Sequence, residues 1–541
     1  MIRLILFLSV FPFTIGQAMS QTEIWMKKEI LLESSKTYDN PVYQVSDFDA
    51  TFTSPSGREK TIRGFWDGGN SWKFRFVPDE QGTWTYKTFC SDKENTGLDG
   101  QTGTFECIAG KSPHEIYQRG SIKRNPGKYH LSYADGAPFF WLACTAWNGA
   151  LKSSESEWDQ YLTDRKEKGY NTIQFVTTQW RGGDMDREGR VAFTGSGRIE
   201  LNIEFFQRLD EKVDRINEYG LVAAPVLLWA LPSITGRYLS PGYYLPHEEA
   251  ILLAKYMVAR YGGNQVVWIL GGDGEYLKAY EQHWKEIGRG VFGEGKHQGI
   301  VAQHPHGRSW IGRAYADEDW LDIPGYQSSH STSQGTVDWI NKGPMVKDWD
   351  RIPARPIMNL EPIYEEIHEN VTPLDVRQAT WWSLFSTPVS GVTYGANGIW
   401  PWLREGESIL NHRDAPWTST WSESLKLPAG TQVPYAKKFF EGFDWWDLTP
   451  AHEELLLNQP GDDQYNAFVS MLKSPDYRTL LVYFPSQLDI KIFNKLGFEY
   501  SARWFDPVLG TYKKGNMKMS GSLIEVSQKA QQDMILVLEA K

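Results

Sequence analysis

Two carboxylates stand where apolar runs end. Val266-Val267-Trp268-Ile269-Leu270 passes through Gly271 and Gly272 to Asp273, and Ile357-Met358-Asn359-Leu360 leads to Glu361 immediately before Pro362. Each run is long enough for one buried strand, and an α/β barrel presents catalytic groups where its strands stop, at the carboxyl-terminal mouth. Two acids from different strands can do paired work on a glycosidic bond: one protonates the leaving oxygen while the other attacks the anomeric carbon or activates water. Asp273 after two glycines could be a simple turn residue, but the apolar strand before it favours the mouth. Glu275, two residues on, competes for the same role, and Tyr364 is close enough in sequence to orient a carboxylate at 361. Glu365 and Glu366 read as the start of a solvated loop.

The other expected strand ends supply groups that suit a sugar, which offers hydroxyls to hydrogen-bond and a face to stack on. Trp147 and Asn148 end the first strand, Gln179 and Trp180 the second, and Trp229 the third. His304 and His306 end the fifth, Gln327 and His330 the sixth, and Tyr394, Asn397 and Trp400 the eighth. Singly, each is more often structural. Their recurrence at nearly every strand end points to a polar pocket with stacking walls. His304 and His306 form an isolated His-x-His without a third ligand at recognisable spacing, so hydrogen bonds to hydroxyls are expected and no metal or cofactor is called for.

The elements that must position these groups follow from the pattern of apolar residues. Residues 21–112 alternate with a period of two between turn clusters, as in Ser71-Trp72-Lys73-Phe74-Arg75-Phe76, and predict a β-sandwich. Residues 113–448 change to strand and helix in alternation. Strands are expected at 139–147, 172–178, 221–228, 266–270, 299–304, 323–328, 356–360 and 391–394. Helices are expected at 154–168, where Ser154 and Glu157 make a capping box, and at 203–219, 248–261, 277–289 and 374–386. The fifth-to-sixth and sixth-to-seventh connections carry the weakest helical pattern. Eight strands over about 300 residues is the length of a (β/α)8 barrel; an open doubly wound sheet lacks support because no glycine-rich phosphate loop follows the first strand. Residues 449–541 return to strands and predict a second β-sandwich. The fold class is thus multidomain, α/β plus all-β: a central TIM barrel flanked by two sandwiches.

The formal net charge of −11 argues against a nucleic-acid or anionic-membrane partner. Aromatic residues reach 14%; such rings are either buried in cores, where large β-sandwiches account for most of them, or exposed, where they would stack on flat sugar faces. Residues 1–20 read as an export signal, with Arg3 before an apolar stretch and Ala18-Met19-Ser20 as the cleavage site, so a periplasmic or extracellular location without membrane insertion is expected. Cys90 and Cys107 could bridge in an oxidising compartment; Cys144 lies in an apolar run and reads as a core thiol.

The chain resembles the apiosidase-like glycoside hydrolases. The resemblance is carried by Phe140-Trp141-Leu142-Ala143, Trp268-Ile269-Leu270-Gly271-Gly272-Asp273 and Asn359-Leu360-Glu361-Pro362 within residues 128–441. Gly64-Phe65-Trp66-Asp67-Gly68 resembles a sandwich module that precedes such barrels, and Ala502-Arg503-Trp504-Phe505-Asp506-Pro507 resembles the so-called collagen-binding sandwich that follows them. The resemblance implies a retaining glycosidase on an oligosaccharide or polysaccharide, with Asp273 as acid/base and Glu361 as nucleophile. An Asp in the acid/base role departs from the Asn-Glu pair common in the wider clan. Outside this resemblance, the alternatives are a carbohydrate-binding protein that has kept a barrel, and a lyase, which would want a Tyr/His or Lys base and a positive subsite.

Overall fold

The computed structural model describes residues 20–541 apart from 233 and 234; all but the last residue of the expected export signal lies outside them. Eight parallel strand positions close into a barrel: β1 (Trp141–Thr145), β2 (Thr172–Val176), β3 (Val222–Trp229), β4 (Val267–Gly272), β5 (Ile300–Gln303), β6 (Ile323–Pro324 with Tyr326–Gln327), β7 (Asn359–Glu361) and β8 (Gly391–Tyr394). The sixth strand is split at Gly325. Its first half pairs with β5 and its second with β7, so the barrel closes through the break. A side chain at 325 would run into Leu360 and the Gln303 carbonyl, so only glycine lets the neighbouring strands approach there. Strands such as Val222–Trp229 are buried along their whole length, because helices cover one face and the barrel interior the other.

The helices carry the apolar stripes their spacing foretells. α1 (Glu155–Glu167) starts at the capping box of Ser154 and Glu157. α2 (Ile203–Glu218) buries Phe205, Phe206, Leu209, Val213 and Ile216 along one face. α3 (His247–Tyr261), α4 (Glu281–Phe292), α5 (Gln334–Lys342) and α6 (Pro373–Ser386) continue the ring. Between β5 and β6 there is no helix of any length. There the Arg355 guanidinium donates to the carbonyls of Tyr315, Ala316 and Glu318, satisfying backbone groups that a helix would have paired internally. β7 spans Asn359–Glu361 rather than starting at Pro356, and it stops where Pro362 has no N–H for the ladder.

Before the barrel, a five-stranded sheet and a three-stranded sheet enclose Phe52, Trp72, Phe74, Phe76, Trp84 and Phe105. After it, a six-stranded and a three-stranded antiparallel sheet do the same with Val482, Phe484, Ile524 and Leu536. Cys90, Cys107 and Cys144 are free and buried. Cys107 sits opposite Gly82, eight residues along the strand that ends at Cys90. At roughly 3.4 Å per residue that is far beyond the span of a disulfide. Among the described residues no helix is long and apolar enough to cross a membrane.

Candidate active site

Glu361 closes β7 and is buried, 5% exposed. Its Oε1 lies 3.0 Å from Nε2 of His330, and its Oε2 lies 3.1 Å from Nε2 of His304. The second contact is close but poorly aligned, leaving both of its atoms without a well-formed hydrogen bond. Asn359, two residues back on the same strand, is held by its amide to Ser328 and Ser383 and accepts the Glu361 backbone N–H.

Asp273 follows β4 with φ of 48°, a left-handed conformation uncommon outside glycine. Its backbone N–H donates to Nδ1 of His304 at 3.1 Å. That bond fixes the ring's tautomer: Nδ1 accepts, so the proton is on Nε2, facing Glu361. Proximity to Glu361 raises the basicity of His304 against its burial, yet a proton on Nδ1 would expel the Asp273 amide, so the neutral ring is the form this geometry holds. One imidazole thereby joins the backbone of one acid to the side chain of the other. The flanking glycines are required by packing: a Cβ on Gly272 would meet the Trp229 ring at 2.6 Å, and Cβ atoms on Gly271 and Gly274 would strike Tyr276.

The two carboxyl groups titrate in opposite directions. Burial, then the charge of Glu361, pushes Asp273 up to about 7, against the pull of His304, His330 and Arg181. Asp273 keeps some contact with solvent, as a group recessed in an open mouth does, so its environment is enclosed rather than sealed. Burial would also raise Glu361, but the imidazoles of His304 and His330 outweigh it and hold its pKa well below the usual range. Near neutral pH the pair holds one proton on Asp273 and one negative charge on Glu361.

The remaining expected residues divide into groups. Trp147 donates to the Tyr364 hydroxyl at 2.9 Å and stands edge-on to His304 and Trp229. Tyr364 packs against His330 at 4.5 Å between ring centres, near enough to Glu361 for the carboxylate to oppose its ionisation. Trp229 packs on Trp180, and its buried indole N–H has no partner among the described residues. Gln327 reaches toward His330. Glu275 pairs with His306 at 3.1 Å, both partly exposed, so His304 and His306 serve different carboxylates. Four others are committed to the protein itself. Asn148 holds the Gly182 and Pro401 carbonyls and accepts from Trp180. Gln179 bonds Phe193 and Ala192. Tyr394 donates to Glu365, and Asn397 joins Thr418 to Trp400. Glu365 does not begin a solvated loop; it is buried, accepting Tyr394 and the Ala429 N–H. Glu366 likewise holds Ser419.

Sequence reasoning missed Arg181 and His412. Arg181 is 4% exposed and donates to the Thr235 carbonyl, to His412 and to the Asn411 carbonyl. It ties together the loops after β2, β3 and β8. Burial, then the nearby guanidinium, pushes His412 down to about 4, so its neutral ring accepts from Arg181. No spacing marks a lone Arg in a loop, or a His eighteen residues beyond a strand.

A barrel whose fourth and seventh strands deliver one protonated and one ionised carboxyl group to an aromatic-walled mouth is the arrangement of a glycoside hydrolase. Residues 125–447, more than half of the chain, match the family described as Apiosidase-like, catalytic domain. The protein belongs to that family and is a glycosidase acting on carbohydrate. Residues 21–91 match a domain of unknown function, DUF5060. Among solved structures, the chain is similar to a protein titled glycoside hydrolase, at 20% identity with a TM-score of 0.68 over 80% of this chain and 99% of that one. It is also similar to a family 5 glycoside hydrolase from Bacteroides vulgatus ATCC 8482, at 21% identity and a TM-score of 0.68, covering 80% and 95%. A candidate glycoside hydrolase from the same organism aligns over 96% of this chain and 100% of its own at 17% identity, with a TM-score of 0.69, so the likeness of fold extends to the flanking sandwiches. No curated protein matches the chain.

Proposed function

We propose that the protein is an exported, retaining glycosidase that acts on a plant or algal glycan and releases terminal apiose or a related sugar by double displacement. The observation that carries this reading is the opposed titration of Asp273 and Glu361 at the ends of β4 and β7, with the His304 ring between them. Glu361, held ionised by two imidazoles, attacks the anomeric carbon and forms a covalent glycosyl-enzyme. Asp273, protonated near neutral pH, gives its proton to the departing glycosidic oxygen. In the second step Asp273, now ionised, takes a proton from water, which attacks the anomeric carbon and frees Glu361. The charge of Glu361 bears on Asp273, so the two carboxyl groups share one site; retention requires a separation of about 5–5.5 Å between them, and inversion a wider gap.

The test is a hydrolysis panel of glycans with terminal apiose and related sugars, with the first-formed product anomer followed by NMR. Retention of configuration, and loss of turnover in a folded Glu361→Ala variant, are expected. Product of inverted configuration would refute double displacement, and near-full activity of Glu361→Ala would remove Glu361 from the mechanism.

A further inference from the structure

The loops after β3 and β4 carry tyrosines that folding alone does not account for. Tyr238 is 67% exposed and Tyr280 is 41% exposed, although an unpartnered aromatic face on a surface forfeits the burial that usually keeps such rings inside. They are not loosely hung. The Arg237 guanidinium lies 5.0 Å over the Tyr238 ring and 5.1 Å over that of Tyr243, while its Nη2 donates to the Tyr238 hydroxyl and its Nη1 to the Pro232 carbonyl. Tyr238 and Tyr243 meet edge to face at 5.7 Å, and the Tyr280 hydroxyl lies in the neighbourhood of the Arg237 guanidinium. Among the described residues, Arg237 has no carboxylate partner. Its guanidinium is held by the two rings and the Pro232 carbonyl.

This ridge is continuous with the catalytic acid. Tyr280 follows Asp273 by seven residues on the same loop. The loop bearing Tyr238 is pinned at both ends to Arg181, which donates from Nε to the Thr235 carbonyl and from its backbone N–H to Ser240, and the charge of Arg181 reaches Asp273. Gly236, at φ of 75°, nests against Asn411, where any side chain would collide. The ridge therefore has a set position on the side of the mouth that belongs to the proton donor.

We infer that Tyr238, Tyr243 and Tyr280, braced by Arg237, form a stacking subsite for a sugar unit on the leaving-group side of the scissile bond, so that the favoured substrates are glycans with two or more sugars in the departing chain. This rests on the assignment of Asp273 as proton donor, because the donor's side of the cleft is the side to which the departing chain leads. The occupant is a sugar of the same chain because the ridge offers flat ring faces to stack on and adjoins the pocket that holds the bond to be cut.

The experiment compares Tyr238→Ala and Tyr280→Ala with the parent enzyme on two probes: a trisaccharide with terminal apiose, and 4-nitrophenyl apiofuranoside, which has no second sugar. Removing one stacked ring should raise KM for the trisaccharide by about tenfold, leave the nitrophenyl glycoside within about twofold, and leave Tm unchanged, while Tyr238→Phe should behave as the parent. An unchanged KM for the trisaccharide, or an equal rise for both probes, would overturn the subsite. If the parent hydrolyses neither probe, the apiose reading fails separately. The ridge is then judged by calorimetric binding of the trisaccharide to Glu361→Ala, where weaker binding on adding Tyr238→Ala supports it, and equal or undetectable binding refutes it.

Discussion

The division of labour between Asp273 and Glu361 comes from what surrounds each carboxyl group. Glu361 faces two imidazole N–H donors, whereas the side chain of Asp273 has only the more distant pull of imidazoles and a guanidinium against burial and a neighbouring negative charge. In the proposed mechanism, activity needs Glu361 ionised and Asp273 protonated. As pH rises through about 7, Asp273 loses its proton and the rate should fall; as pH drops toward the low pKa of Glu361, the nucleophile is neutralised and the rate falls again. A pH profile of kcat/KM should show this bell, its limits belonging to the pair as a unit. An alkaline limb several units above 7 would contradict it. Asp273→Asn should abolish turnover of unactivated glycosides yet spare much of the first step on a nitrophenyl glycoside, whose leaving group needs no proton. Replacing His330 by Ala removes one hydrogen bond to a charge, of about 1.5–3 kcal/mol. A tenfold to hundredfold loss in kcat and an acid limb moved to higher pH are expected, read from the same profiles.

Arg181 makes the loops after β2, β3 and β8 act as one element. Three of its contacts are to groups far apart in sequence, and it returns a bond through its own carbonyl, which accepts from Asn411. Arg181→Met should raise KM and increase amide exchange around residues 235–240 and 411–412. It should also move the alkaline limb to higher pH, because the lost cation had favoured the ionised form of Asp273. A variant that was merely misfolded would not shift that limb in a defined direction. Gly272 illustrates the opposite constraint, imposed by packing. Gly272→Ala would press a methyl group onto Trp229, at an overpacking cost of about 1–3 kcal/mol, measurable as a lower denaturation midpoint.

At the scale of the whole chain, the amino-terminal sandwich is latched to the barrel by charge. Arg75 and Arg260 flank the Phe65 ring at 5.0 Å each and share Asp210, at 2.7 Å from either guanidinium, while Asp67 also reaches Arg260. All four charged residues are buried. Asp210→Ala would leave the two guanidinium groups facing one another without their shared partner. A loss of about 3–5 kcal/mol in denaturant unfolding is expected, with the catalytic pH limits unchanged because the latch lies on α2 and α3 rather than at the mouth. At the other end, Arg377 of α6 binds Asp533 at 2.7 Å, and Trp382 donates to the Phe468 carbonyl, so the second sandwich bears on the helix that follows β7. The amino-terminal module thus grips α2 and α3, and the carboxyl-terminal module grips α6.

The apolar runs determined the barrel, since a strand buried on both faces has to be continuous in hydrophobic residues, and a helix between strands must repeat its apolar positions every three to four. They also marked Asp273 and Glu361, because a charge terminating such a run has little choice but to lie at its end. The chain could not disclose partners set by closure. His304 was legible as a strand-end residue, but its bridging of the Asp273 amide and Glu361 exists only once β5 lies beside β4 and the barrel brings β7 across. Asn148, Gln179, Tyr394 and Asn397 stand at strand ends as expected, yet their polar atoms are taken by backbone and side chains from remote loops. Arg181 and the tyrosine ridge carry no local pattern at all, because their positions are defined by contacts between loops that meet only in three dimensions.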